Sequence, residues 1–137
     1  MKILGISGSP RSEKTSGTYQ LVETILEATG LEYEVISLRG RKINGCIACL
    51  GCVHDNTCVI NDGMADLREK ILEADAYVVG APNYYSAVNG TTQSFLERWF
   101  QFRHKSGDFL WGKLAVAVGV SGGGGDTVVH QIETFMG

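Results

Sequence analysis

Cys46, Cys49, Cys52 and Cys58 are the only cysteines in this 137-residue chain, spaced C-x2-C-x2-C-x5-C within thirteen residues. Thiolate is the metal-binding form of cysteine, and two-residue gaps bring successive sulfurs back toward one point. The run therefore predicts the ligand set of an iron–sulfur cluster or of an all-thiolate structural zinc. Zinc ranks second, because such sites usually use two separated pairs joined by a longer spacer. Ile47, Ala48, Leu50 and Gly51, which lie between the ligands, are small or apolar. They would shield a cluster from water, and Gly45 and Gly51 let backbone amides turn toward sulfur. His54 lies inside the run and reads as a solvated side chain; His104 and His130 stand in no motif.

A second chemistry is written near the N-terminus. Gly8-Ser9-Pro10-Arg11-Ser12-Glu13-Lys14-Thr15-Ser16-Gly17-Thr18 lies between a short apolar run and a helical pattern. Backbone amides in such a loop, with a helix N-terminus behind them, attract phosphate. Ser9, Ser16 and Thr18 add hydroxyls, and Arg11 adds a fork-shaped cation. The triphosphate-binding pattern G-x4-G-K-[ST] fails because Glu13 occupies the second glycine position, and G-x-G-x-x-G is absent. A monophosphate fits better.

The elements that must position these residues alternate. Apolar runs at Lys2-Ile6, Glu34-Leu38, Ala76-Ala81 and Leu114-Val120 read as strands. Gly17 to Ala28 carries Leu21, Val22, Ile25 and Leu26 at helical spacing, with Gly30 as a stop. Asp62 is placed to N-cap a helix bearing Met64, Leu67, Ile71 and Leu72. Val88-Phe102 reads as an aromatic-rich helix whose Phe95, Trp99 and Phe102 stripe fits a core or a subunit interface, and a last helix starts near Thr127. Strict β-α alternation predicts an α/β fold with a doubly wound parallel sheet in three α/β/α layers. One domain, 1–137, is expected, with the cysteine loop 45–59 inserted after the second strand.

Ligands of such sheets bind beyond the carboxyl ends of the strands. The loops there are Ser7-Thr18, Pro82-Asn89 and Ser121-Asp126, all rich in Gly, Ser, Pro, Asn or Tyr. A fold of this type usually has a fifth strand and helix, and this chain stops after the fourth pair. Leu114-Val120 is then expected to be an exposed apolar edge, covered by a partner or by chain beyond a truncation.

Composition narrows the class. The chain is 44% hydrophobic and 20% charged, with a net charge of −3 and a pI near 5.6. That argues against a nucleic-acid surface; no segment reaches the length of a membrane span, and Met1-Ile6 enters a glycine turn too soon for a signal peptide. A cytoplasmic protein is expected, and a reducing compartment favours metal over disulfides at clustered cysteines.

Gly8-Ser9-Pro10-Arg11 and Ser16-Gly17-Thr18 together resemble the FMN-phosphate loop of the flavodoxin-like NAD(P)H-dependent FMN reductases, where Asn is common at the place of Gly17. Ala81-Pro82-Asn83-Tyr84-Tyr85-Ser86 is similar to their second flavin loop, Phe95-Leu96-Glu97-Arg98 to the helix segment after it, and Ser121-Gly122-Gly123-Gly124-Gly125 to the third loop beside the isoalloxazine ring. The cysteine run, leading into Asp62-Gly63-Met64, resembles the compact motif of the iron–sulfur flavoproteins within that family.

The resemblance implies FMN as cofactor and a [4Fe-4S] cluster on the four cysteines. It places Ser9, Arg11, Ser16, Gly17 and Thr18 on phosphate, and Pro82, Asn83, Tyr84, Tyr85, Ser86, Ser121, Gly122, Gly123 and Gly124 around the ring. It implies an oxidoreductase fed by a ferredoxin-like donor or NAD(P)H and serving a small acceptor, in a homodimer or homotetramer where one subunit's cluster serves another's flavin. No residue is expected to act as general acid, base or nucleophile. A cluster-free NAD(P)H-dependent FMN or quinone reductase and a zinc-stabilised, non-catalytic binding module are the competing readings.

Overall fold

The computed structural model describes residues 1–104 and 109–137. Four parallel strands build its main sheet: β1 (Lys2–Ser7), β2 (Glu32–Ser37), β3 (Ala76–Tyr84) and β5 (Leu114–Val120). Their order is β2-β1-β3-β5. The register runs Gly5 beside Val35 and Val78, and Val78 beside Val116. A two-residue strand, β4 (Ala87–Val88), folds back antiparallel on the end of β3. The helices are α1 (Gly17–Thr29), α2 (Arg68–Glu73), α3 (Gly90–Glu97) and α4 (Gly125–Met136). This is the flavodoxin-like α/β arrangement.

Side chains alternate across each strand, so the sheet has two apolar faces. Ile3, Val22, Leu26, Val78 and Val118 form the layer under α1. Gly5 and Gly80 let that helix sit down: a Cβ at either position would crowd Val22, Leu26 or Thr18. The larger layer on the other face gathers Leu4, Ile6, Met64, Leu67, Ile71, Phe95, Leu96, Val128 and Ile132. Trp99 is its hub, in edge-on contact with Tyr77, Phe95 and Phe102 at centroid distances of 5.2, 5.7 and 6.0 Å. The aromatic stripe is therefore core.

Strand β5 shows where cover runs out. Val118 is 7% exposed, but Leu114 and Val116, four and two residues earlier on the same face, are 74% and 49% exposed. Helix α1 covers one end of this face and not the other, so the exposed apolar surface expected at Leu114-Val120 lies on a sheet face as well as along an edge.

Three expectations about elements need correction. Strand β3 runs on to Tyr84 where a loop was expected. Val88 is in β4 rather than in a helix; α3 begins at Gly90, and its continuation Arg98–Phe102 tightens to a 3-10 helix. Asp62 does not cap a helix, because Ala65–Leu67 is a 3-10 turn and α2 begins at Arg68. Its carboxylate is drawn instead to a buried cation.

Gly119 locks β5 to the start of α4. A Cβ there would collide with the Gly125 carbonyl oxygen, which is backbone and has nowhere to move. Gly119→Ala should cost about 1–3 kcal/mol, the usual penalty of overpacking, read as a lowered urea midpoint with unchanged slope.

Candidate active site and cysteine pocket

The three loops at the carboxyl ends of β1, β3 and β5 are tied to one another. The Gly8 amide donates to the Gly80 carbonyl at 2.8 Å. Its own carbonyl accepts from Asn89 Nδ2 at 2.7 Å, and the Thr92 hydroxyl donates to Asn89 Oδ1 at 2.5 Å. Both side chains are buried. Gly8 can be nothing larger, since a Cβ would run into Thr92 Oγ1. The first turn of α3 thus fixes the start of the phosphate-type loop.

Within that loop Ser9 is buried and its Oγ accepts from the Arg11 amide at 3.2 Å. Ser16 caps α1, accepting from the Tyr19 amide at 3.0 Å. Gly17 opens the helix, and Thr18 is buried beside Gly80. Arg11 is exposed.

The second and third loops meet through Asn83. Its Nδ2 donates to Ser121 Oγ at 3.2 Å and to the Gly123 carbonyl at 3.3 Å. The Ser121 hydroxyl closes the turn onto the Gly123 carbonyl, and the Gly123 amide returns a bond to it at 3.0 Å. Pro82 and Asn83 are half-buried at the end of β3, while Tyr84 is 49% exposed. Tyr85 and Ser86 form the two-residue turn between β3 and β4, at φ 52° and 62°. Positive φ at both positions matches the twist of a tight hairpin but strains residues other than glycine. Gly122 and Gly123 present bare backbone with nothing near their missing Cβ atoms.

The cysteine loop stands on the other end of α3 and its 3-10 continuation. Cys46, Cys49, Cys52 and Cys58 all line one hollow, with Ile47, Leu50, Val59, Glu97, Arg98 and Phe100 among its walls. All four are free thiols. Burial pushes the Cys52 thiol up; a backbone hydrogen bond partly offsets this, and the charges of Cys58, Cys46 and Cys49 add to it. Ala48 and Leu50, on either side of Cys49, have φ 55° and 61°, a left-handed conformation costing roughly 1–2 kcal/mol each. These reversals turn the backbone back on itself, and the Ala48 amide donates to Cys46 Sγ at 3.4 Å. Among the described residues, no three Cys, His, Asp or Glu side chains stand close enough to share one metal ion.

Three neighbouring side chains hold this loop. Glu97 Oε1 accepts from the Cys46 amide and Gln101 Oε1 from the Cys58 amide, both at 3.1 Å. Between them Arg98, with a side chain 1% exposed, reaches under the loop. Its Nη1 donates to Asp62 Oδ2 at 2.7 Å and to the Asn44 carbonyl at 2.9 Å, and its Nη2 to the Ile60 carbonyl at 3.3 Å. Asp62 in turn accepts from the Asn44 amide at 2.9 Å and the Met64 amide at 3.1 Å. One buried ion pair therefore pins both stems of the loop.

The model of the family described as NADPH-dependent FMN reductase matches residues 1–137. The chain belongs to this family. Iron–sulfur flavoproteins are among its relatives: one from Methanocaldococcus jannaschii is 38% identical over 98% of this chain and 71% of its own length. Another, from Archaeoglobus fulgidus, is 33% identical over 97% and 70%, and one from Methanosarcina thermophila 31% identical over 99% and 73%. Among solved structures, RosB with its bound intermediate superposes with TM-score 0.76 at 20% identity, over 99% of this chain and 58% of RosB. The flavoenzyme NAD(P)H:(acceptor) oxidoreductase FerB of Paracoccus denitrificans does so at 0.69 and 17%, over 98% and 70%. At those identities the likeness is one of fold.

As an NADPH-dependent FMN reductase family member the protein is an FMN-dependent oxidoreductase. The structure brings Ser9, Ser16, Gly17, Thr18, Asn83 and Ser121-Gly124 to the ends of adjoining strands, and sets Tyr84 and Tyr85 at the rim. Asn89, Thr92 and Gln101 escaped the sequence reading. Arg98 was noticed only as part of a family segment, although a lone cation between Leu96 and Trp99 on a buried helix face signals a buried partner.

Burial alone would raise the Asp62 carboxyl, but the Arg98 guanidinium and the Asn44 and Met64 amides outweigh it and hold it below the ordinary value. The stabilisation is therefore complete above the unfolded carboxylate range near ~3.9 and fades as pH falls through the lower folded value. Exchange of the Asn44 and Met64 amides should accelerate selectively below about pH 4. Asp62→Asn, which leaves Arg98 buried without its counter-charge, should cost about 3–5 kcal/mol and speed the same amides at neutral pH.

Proposed function

We propose that this protein is an iron–sulfur flavoprotein, moving electrons between a redox donor and a small acceptor through FMN and a [4Fe-4S] cluster. The observation that carries the reading is the convergence of all four cysteines on one hollow, built on the helix whose other end holds the phosphate-type loop. Zinc ranks lower because its sites usually use two separated pairs of ligands joined by a longer spacer, whereas these four cysteines stand in one short run. Apolar Ile47, Leu50 and Val59 beside the thiols suit a group kept from water.

When bound, FMN supplies hydride and one-electron chemistry and the cluster supplies one-electron chemistry. The chain's residues bind and orient. Ser9, Arg11, Ser16, Gly17 and Thr18 would hold the phosphate. Pro82, Asn83, Tyr84, Tyr85, Ser86 and Ser121-Gly124 would frame the ring, with Tyr84 or Tyr85 stacking and glycine amides approaching its edge. Cys46, Cys49, Cys52 and Cys58 would hold the cluster. A ferredoxin-like protein or NAD(P)H would donate, and a homodimer or homotetramer is favoured by the exposed Ile47, Leu50, Val53 and Val59 around the thiols. Among the described residues no helix is long and apolar enough to cross a membrane, in keeping with action away from one.

Anaerobically purified protein should be brown, with flavin bands above a broad absorbance, and should contain iron and sulfide. Flavin bands alone would favour a cluster-free reductase, and a colourless zinc-containing sample a binding module. Cys49→Ala should remove the cluster and leave FMN bound; joint loss would contradict separate sites. Arg11→Ala should weaken FMN by about 1.5–3 kcal/mol, one charge-assisted bond, in a fluorescence titration; unchanged affinity would take Arg11 off the phosphate.

A further inference from the structure

Two adjacent residues bring opposite charges to the cysteine hollow. Glu97 meets the Cys46 side, where its Oε1 accepts from the Cys46 amide while Oε2 accepts from Gln93 Nε2 at 3.2 Å. Arg98 meets the Cys58 side. Both residues line the hollow with the four cysteines. We propose that Arg98, besides pinning the loop, is a positioning residue for charge: its buried guanidinium draws an added electron toward the Cys58 side of the cysteine-bound centre and raises that centre's reduction potential.

The proposal rests on the cluster reading and deepens it. A guanidinium stays protonated across any pH the fold survives. Buried as it is, its field is weakly screened by water. Asp62, at 2.7 Å, neutralises it from below, and Cys58 lines the same hollow as Arg98. Arg98 Nε is moreover a buried donor with no protein acceptor, an orphan that a sulfur-rich centre in the same hollow would satisfy. The Cys58 amide is fixed by Gln101, one helical turn after Glu97, so this ligand keeps its place against the cation. Reduction by one electron adds a negative charge to the centre, and a nearby fixed cation stabilises that state; no bond forms or breaks.

Anaerobic potentiometric titration, with dithionite as reductant and the cluster followed by electron paramagnetic resonance, tests this in wild type, R98K, R98Q and D62N at matched iron content. R98Q should shift the midpoint down, and R98K should restore most of it. D62N should shift it up, because Arg98 then faces the centre without its counter-charge. If Arg98 were only a strut, both R98Q and D62N would loosen the loop and move the midpoint in the same direction, or neither would move it; either result overturns the proposal. Should R98Q fail to hold iron, D62N decides alone: an upward shift supports the proposal, and a downward or absent shift overturns it. Iron missing from the wild-type protein would overturn the cluster reading itself, and this inference with it.

Discussion

The Arg98–Asp62 pair is the interaction on which the cysteine loop depends. Burying two charges is expensive, and a buried pair is rarely a source of net stability. Here it gives specificity of placement. The guanidinium reaches the carbonyls on both stems of the loop, and the carboxylate gathers two amides from the same stems. A long segment with little regular structure of its own is thereby held in one register. The strain at Ala48 and Leu50 persists because the ends of the loop cannot drift to relieve it.

Helix α3 turns that local clamp into an arrangement of two sites. Eight residues rise about 12 Å. At its start Asn89 and Thr92 hold Gly8; at its end Glu97, Arg98 and Gln101 hold the cysteine loop. Trp99, packed edge-on among three aromatic rings, anchors the same segment in the core. The separation of the phosphate-type loop from the thiols is thus set by one packed element rather than by two independent loops.

Much of this was legible in the chain. Parallel strands announce themselves as continuous apolar runs, so β1, β3 and β5 could be read directly, although β5 proves largely exposed, and Gly30 marked the end of α1 through its left-handed cap. The four cysteines declared a common destination by spacing alone. The misreadings share a cause: a polar side chain was given a local task when its partner was distant in sequence. Asp62 looked like a helix cap, but its partner is Arg98, 36 residues on. Asn89 looked like the edge of a loop, but it serves Gly8, 81 residues back. Periodicity reports which face an element buries and carries no signal for pairs that only the finished topology brings together. The hairpin at Tyr85 and Ser86 was hidden for a related reason, since neither is a residue that ordinarily announces positive φ.

On the proposed function the four thiols of one clamped loop share a single polynuclear iron centre. Mössbauer spectroscopy of protein isolated without oxygen from cells grown on ⁵⁷Fe addresses it most directly. The spectrum should show delocalised, sulfur-coordinated iron, with the iron sites of one cubane and stoichiometric with the chain. A lone tetrahedral iron, or no bound iron in protein that retains its flavin, would contradict it.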